Sequence, residues 1–317
     1  MAVGDIITAT RYNALQARVE SILAVGASNE GYGETTSSNQ VAVNDLVTAS
    51  HVNQLKTDID IINRHQTNQA VGTITNITIG NIIADETSDN PDGIEKGFAD
   101  YENSMTTLES DPNRFRLAPL QSSSGTGPSL TFGPTQWRDQ LNGYVRATFS
   151  NSNHRRHFFN SGGSINFASS LASTATGGNV SKTNDWATML SNAGTVTFDH
   201  NSTVTSGSGT GSAIGNFQLT SSEQQIFRKS GTGVYADNNY YIRAREINTS
   251  VIEFRIWMSD TDTGTAPFGP NSAKGFVAID EYIVGNLTTA TGFTRASGVY
   301  VDVTAPTITI QSNFSGS

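Results

Sequence analysis

The sequence predicts a mainly β protein, sandwich or jelly-roll-like, with a small helical module at its N-terminus. Three observations carry that prediction. Beyond about Arg114 the chain breaks into short alternating or aromatic runs separated by Gly, Asn and Ser turns, which is the texture of many short strands. Residues 3–23 recur without gaps as residues 43–63, and both copies carry apolar side chains at helical spacing. The polarity comes from small neutral residues, 30 Gly, 35 Ser, 39 Thr and 28 Asn, against only 15% charged residues; Thr and Val together suit strands better than helices. A length of 317 residues fits two domains, at roughly 150 residues each. The expected division is a helical module over 1–112 and a β part over 113–317, the latter open to a further split.

The two copies read VGDIITATRYNALQARVESIL and VNDLVTASHVNQLKTDIDIIN, identical at seven of 21 positions at an offset of 40. Each has a short apolar extended piece, then an N-cap (Thr8 or Thr48), then a helix. Tyr12, Leu15, Val19 and Ile22 follow spacings of 3, 4 and 3, and Val52, Leu55, Ile59 and Ile62 repeat them. One narrow apolar stripe therefore runs along each helix. Helices this short are marginal in water alone, so the stripes need cover. An intramolecular hairpin would supply it; so would a larger assembly, in which case these eight residues form a docking interface.

GASNEGYGETTSSNQ between the copies reads as a loop, and Val71 to Ile83 alternates Thr or Asn with Val or Ile, as in a strand or β-arc. A third helix is expected from about Ile94 to Glu109, with Phe98, Tyr101, Met105 and Leu108 in the same spacing and Pro112 beyond its end. In the β part, strands are expected at Tyr144–Phe149, Ser164–Phe167, Thr195–Phe198, Phe217–Leu219, Gln225–Lys229, Phe276–Val284, Val299–Val303 and Thr307–Ile310. Tyr240–Ile247 and Val251–Met258, joined by Asn248-Thr249-Ser250, form the clearest hairpin. In its second strand Ile252, Phe254, Ile256 and Met258 share one face, and Val251, Glu253, Arg255 and Trp257 the other. Two tracts low in complexity, Gln121–Ser129 and Val204–Ala213, read as linkers or loop tips.

Composition excludes several classes. A net charge of -9 argues against nucleic acid as the main partner, because phosphate binding needs clustered positive charge. Cysteine is absent, which removes disulfides, thiolate metal sites and Cys nucleophiles. No run approaches the length of a membrane span, and no charged-then-apolar leader opens the chain, so neither membrane insertion nor an evident export signal is expected.

No motif of an enzyme is present in the sequence: no G-x-S-x-G, H-E-x-x-H, Walker A or G-x-G-x-x-G. The most pointed polar cluster is His154-Arg155-Arg156-His157. It suits either anion binding, through the planar Arg forks, or an interface where Arg side chains pair with carboxylates in a strand-and-turn setting. Asp260-Thr-Asp262-Thr-Gly264 lacks the distal Glu of a calcium loop and reads as a β-turn. Asp280-Glu281 ends an expected strand without a second carboxylate at a meaningful spacing. Trp137, Tyr240, Tyr241 and Trp257 could stack on sugars or belong to the core. The expectation is a protein without catalytic residues, metal or cofactor.

GDIITATRYNAL, repeated as NDLVTASHVNQL, resembles N-terminal segments of structural proteins of tailed bacteriophages. TFSNSNHRRHFFNSGGSINF with KTNDWATMLSNAGTVTF resembles a block of virion structural proteins from tailed phages of cyanobacteria and other marine bacteria; FVAIDEYIVGNLTTATG and VDVTAPTITI are similar to their closing β part. The resemblance covers most of the chain. It implies a non-enzymatic virion component, assembled in the host cytoplasm, at the tail, neck or baseplate. Such a fibre or appendage would dock through its N-terminal module. Its partners would be other virion proteins and copies of itself, in a trimer or higher cyclic oligomer. A receptor- or carbohydrate-binding virion protein, meeting a host surface glycan, is the alternative, and a capsid decoration protein the second.

Overall fold

A computed structural model describes residues 7–26, 30–72, 74–78, 82–84, 95–111, 114, 122–132, 136–172, 179–261 and 282–315. The chain divides into two compact units that are not consecutive in sequence. The first comprises Met1–Ser123, Asn153–Gly163 and Arg295–Thr304, the second Ser124–Ser152, Ser164–Thr294 and Ala305–Ser317. The expected boundary at 112/113 thus differs from the observed partition, because two later segments fold with the helices. Strand predominates over helix across the chain, and the sheets are open rather than closed into a barrel.

The first unit holds α1 (Ala9–Leu23), α2 (Ala49–Thr67), the short parallel pair β1 (Ile82–Ala84) and β2 (Glu95–Gly97), α3 (Phe98–Ser110) and most of α4 (Ser152–Asn160). Thr8 and Thr48 cap α1 and α2, accepting from the Arg11 and His51 amides. His51 Nδ1 accepts in turn from the Thr48 amide at 3.1 Å, a reciprocal cap that satisfies an amide the helix leaves unpaired. All eight stripe residues of α1 and α2 are buried, as are Phe98, Tyr101, Met105 and Leu108 of α3, and the three helices pack on one another. The stripes are the unit's own core. That corrects the expectation of a free docking face: burying them inside the chain already offsets the ordering cost of short helices.

Two asparagines fasten this bundle to its loops. Asn13 donates to the Val41 carbonyl and accepts from the Val41 amide, both at 2.8 Å. Asn53, at the matching place in α2, does the same to Ile77 at 2.8 and 2.7 Å. The buried Asp58 carboxylate accepts four hydrogen bonds, from the amides and hydroxyls of Ser37 and Ser38, at 2.6–2.9 Å. Residues 74–78, expected as a strand or β-arc, form no ladder and are held by side-chain bonds from Asn53 and Tyr101.

The second unit contains β3 (Ser122–Thr131) from its third residue on, β4 (Gln136–Trp137), β5 (Gln140–Thr148), β6 (Ser164–Ala172), α5 (Val180–Ala193), β7 (Thr195–Phe198), β8 (Thr203–Thr205), β9 (Gln224–Ser230), β10 (Asn239–Asn248), β11 (Val251–Ser259), β12 (Ile283–Val284), β13 (Asn286–Ala296) up to Thr294 and β14 (Thr307–Ser315). One five-stranded sheet runs β14-β5-β11-β10-β9, another β3-β13-β6-β7-β8, and β12 pairs with β4. Phe254 of the first sheet meets Phe167 and Phe198 of the second at ring-centroid distances of 4.8 and 5.2 Å. The expected hairpin forms as β10–β11, but with a bulge between Glu246 and Asn248, so the turn closes at Thr249-Ser250. Ile252, Phe254, Ile256 and Met258 all lie in the core.

Several expectations fail for identifiable reasons. The tract 121–129, read as a linker, contributes to β3: its neutral residues alternate half-buried and exposed along a sheet edge, and Gly125 sits where any Cβ would strike the Phe293 ring. Residues Asn216–Gln218 form a 3-10 turn rather than a strand, and Val299–Val303 makes only a single bridge, Asp302 to Ser297. The region read as continuous β contains α5, with Asn179 capping it at 2.9 Å and Gly194 ending it at φ 63. Most of 276–284, with Asp280-Glu281, lies outside the described residues, as do Asp262 and Gly264.

Candidate functional site

The face of the first sheet opposite its apolar core gathers five Arg side chains. Strand alternation places Arg146 and Tyr144 on β5, Glu253, Arg255 and Trp257 on β11, Tyr241, Arg243 and Arg245 on β10, and Arg228 on β9 on this one side. Registers then align them in rows across the strands: Arg146–Glu253–Arg245, Tyr144–Arg255–Arg243 and Asn142–Trp257–Tyr241–Arg228.

In the first row Glu253 is shared by two cations. Arg146 Nε donates to it at 2.8 Å and Arg245 at 2.5 and 2.9 Å. Hydrogen bonding to this carboxylate raises Arg245 above its ordinary pKa, so the guanidinium is charged throughout the working range. In the second row Glu223 is shared likewise, by Arg255 at 3.3 Å and Arg243 at 3.9 Å. Arg255 also donates to Asn142 Oδ1 at 2.8 Å, and Arg228 to Asn239 Oδ1 at 2.8 Å. Among the described residues five Arg therefore face two Glu.

The aromatic rings hold the guanidinium planes. Arg243 and Arg255 each lie 4.7 Å from the Trp257 centroid, Arg228 and Arg243 each 5.8 Å from Tyr241, and Arg255 6.0 Å from Tyr144. Tyr241 and Trp257 stack at 5.0 Å. A cation over such a ring gains roughly 0.5–2 kcal/mol, and a stacked guanidinium still presents its N–H edges outward. The four paired Arg side chains keep 22–38% exposure.

The sequence-predicted residues fall elsewhere. His154, Arg155, Arg156 and His157 lie on one turn of α4, not on a strand, and about 100° per residue on a helix spreads four consecutive side chains around the axis. Arg155 is buried, His154 meets the Thr304 carbonyl at 2.8 Å, and His157 packs on Gly33, whose φ is 82 and where a Cβ would strike the imidazole. Burial, with the charges of His154 and Arg156, lowers the His157 pKa. No common anion cradle results. Trp137 and Tyr240 are core residues, while Tyr241 and Trp257 belong to the cationic face. Asp260 pairs with Lys182 at 2.7 Å, each side chain 2% exposed. The alternation Tyr241-Arg243-Arg245 against Tyr240-Ile242-Ala244 was readable; its alignment with Arg146 and Arg228 needed the register.

Among the described residues no group of three His, Asp or Glu side chains could hold a metal ion, and no helix is long and apolar enough to cross a membrane. Comparison with family models, curated proteins and solved structures returns no match to this chain.

Proposed function

We propose that this protein is a non-enzymatic structural component of a tailed-phage virion, an appendage at the tail, neck or baseplate that assembles from copies of itself. The sequence blocks that resemble such proteins motivate the reading. The observation that supports it is a pair of long edge strands without a single charged residue, β3 and β14. Charge is one guard of a sheet edge, and an edge strand without it is open to pairing with another chain; Pro128 in β3 and the bulge between Ile310 and Ser312 in β14 confine such pairing to part of each strand. Two five-stranded sheets meeting through Phe167, Phe198 and Phe254 are read as the layers of a β-sandwich. With the helical stripes buried, docking falls to exposed side chains of the helical unit, where Val43 and Leu46 are 79% and 67% exposed.

Gold-labelled antibody on particles from a producing lysate tests the placement. Label at the tail, neck or baseplate supports an appendage. Label over the head replaces it with capsid decoration, and unlabelled particles beside soluble protein overturn both. A second reading, a virion protein that binds a host surface glycan, is favoured by the cationic face.

A further inference from the structure

We infer that the outer face of the β14-β5-β11-β10-β9 sheet is a binding site for an acidic polysaccharide, one whose carboxylate or sulfate groups complete the two clusters in which a pair of Arg shares one Glu. The inference rests on the glycan-binding reading and not on where the protein sits in a particle.

Charge is the first argument. Among the described residues Glu253 answers both Arg146 and Arg245, and Glu223 both Arg243 and Arg255, so each cluster sets two Arg against one Glu and Arg228 adds a fifth cation. The chain as a whole carries -9, so a cationic surplus on one face is a local arrangement, and attraction to an oppositely charged ligand follows from it. The second argument is preorganisation. Rings fix the guanidinium planes of Arg243, Arg255 and Arg228, so little side-chain freedom remains to be lost when an anion accepts their N–H groups.

The same geometry selects among polyanions and partners. Trp257 already faces two guanidinium groups and Tyr241 lies against Trp257. Stacking platforms for unpaired bases are thus taken, which disfavours single-stranded nucleic acid. The middle rows hold Arg, Glu, Asn, Tyr and Trp with no aliphatic side chain, so the contacts they offer are N–H groups and ring faces rather than an aliphatic cluster. A hydrated chain with regularly placed acid groups fits best.

The test uses the full chain with polygalacturonate, dextran sulfate, neutral dextran and double-stranded DNA, read by affinity electrophoresis and calorimetry at two salt concentrations. Expected is binding to at least one acidic polysaccharide that weakens with salt, and a loss of about tenfold or more in Arg243→Gln/Arg255→Gln, the usual scale for removing charge-assisted contacts. Glu223→Gln removes the acid shared by one cluster and should tighten binding about threefold or more, a gain that misfolding cannot imitate. No binding to either acidic polymer, or equal binding by all variants, overturns the proposal. So does tighter binding of DNA, or self-association that the Arg variants abolish while polysaccharide is ignored. Equal binding of neutral dextran also overturns it, yet leaves the broader glycan reading standing.

Discussion

Lys182 Nζ and Asp260 Oδ2 lie 2.7 Å apart with both side chains 2% exposed, so the β unit keeps a complete ion pair away from water. Lys182 comes from the buried side of α5, and Asp260 follows the last residue of β11. The pair therefore ties a helix to the end of a sheet strand.

Removing one partner should be far worse than removing both. Asp260→Asn takes a carboxylate away from a buried ammonium, and about 3–5 kcal/mol of stability should be lost. Lys182→Met with Asp260→Leu should recover most of it, because the desolvation cost disappears with the charges. Urea denaturation of the three chains measures this; a double variant as unstable as Asp260→Asn would contradict it.

Asn13→Ala and Asn53→Ala should each destabilise the helical unit by about 1–3 kcal/mol, since each strands a backbone amide and a carbonyl, on Val41 or Ile77. Thermal melts followed at a helix-sensitive wavelength report it. An unchanged midpoint in both variants would show that water replaces the clasp at no cost.

The helical unit should weaken in mild acid. Burial drives the His65 pKa down to about 4, opposed by the Ser161 backbone, against about 6.5 when unfolded. The folded state favours the neutral ring, so its contribution is full above pH 6.5 and declines as pH falls toward 4, by about 3 kcal/mol over that window. His157 is lowered too, with the same sign. Denaturation midpoints at pH 7.5 and 4.5 should differ less in His65→Leu than in the parent chain; an equal difference would remove His65 as a cause.

Leu15→Asp or Leu55→Asp should unfold the three-helix core, because these side chains are 1% and 0% exposed and a buried unpaired carboxylate exceeds about 4 kcal/mol. Val43→Asp and Leu46→Asp, both exposed, should leave the helical circular dichroism intact while reducing incorporation into particles. Normal incorporation of both would argue against docking through this loop.

A charge placed on the open edge tests association. Thr309→Lys, at an exposed position of β14, should lower the assembly state in sedimentation velocity without changing the melt. An unchanged sedimentation profile would leave the β14 edge out of the contact.

Helices α1 and α2 were legible because their stripes and Thr caps are local signals, and both begin where Thr8 and Thr48 place them. Helix α5 had equally local signals that the β-rich surroundings obscured: Asn179 before it, Gly194 after it, and Trp186, Met189, Leu190 and Ala193 at helical spacing. Helix α4 ends in a paired carbonyl arrangement, Gly163 N–H to Phe158 and Gly162 N–H to Phe159, with Gly162 at φ 88. The Gly162-Gly163 dipeptide was thus the sign of a helix stop rather than of a turn between strands.

By itself the sequence determined the local features: the helix stripes and their caps, the β10–β11 hairpin with its inward and outward faces, and the absence of Cys chemistry. Periodicity, capping and composition act within a few residues, so one chain segment carries the whole signal. Tertiary structure alone decided that the eight stripe residues cover one another, that segments 153–163 and 295–304 join the helical unit, and that Arg146, Arg228, Arg243, Arg245 and Arg255 share a face with two Glu. Each of those depends on strand register or on packing between residues far apart in sequence, 107 residues for Arg146 and Glu253, and a register slip of one residue would send a strand's side chains to the opposite face.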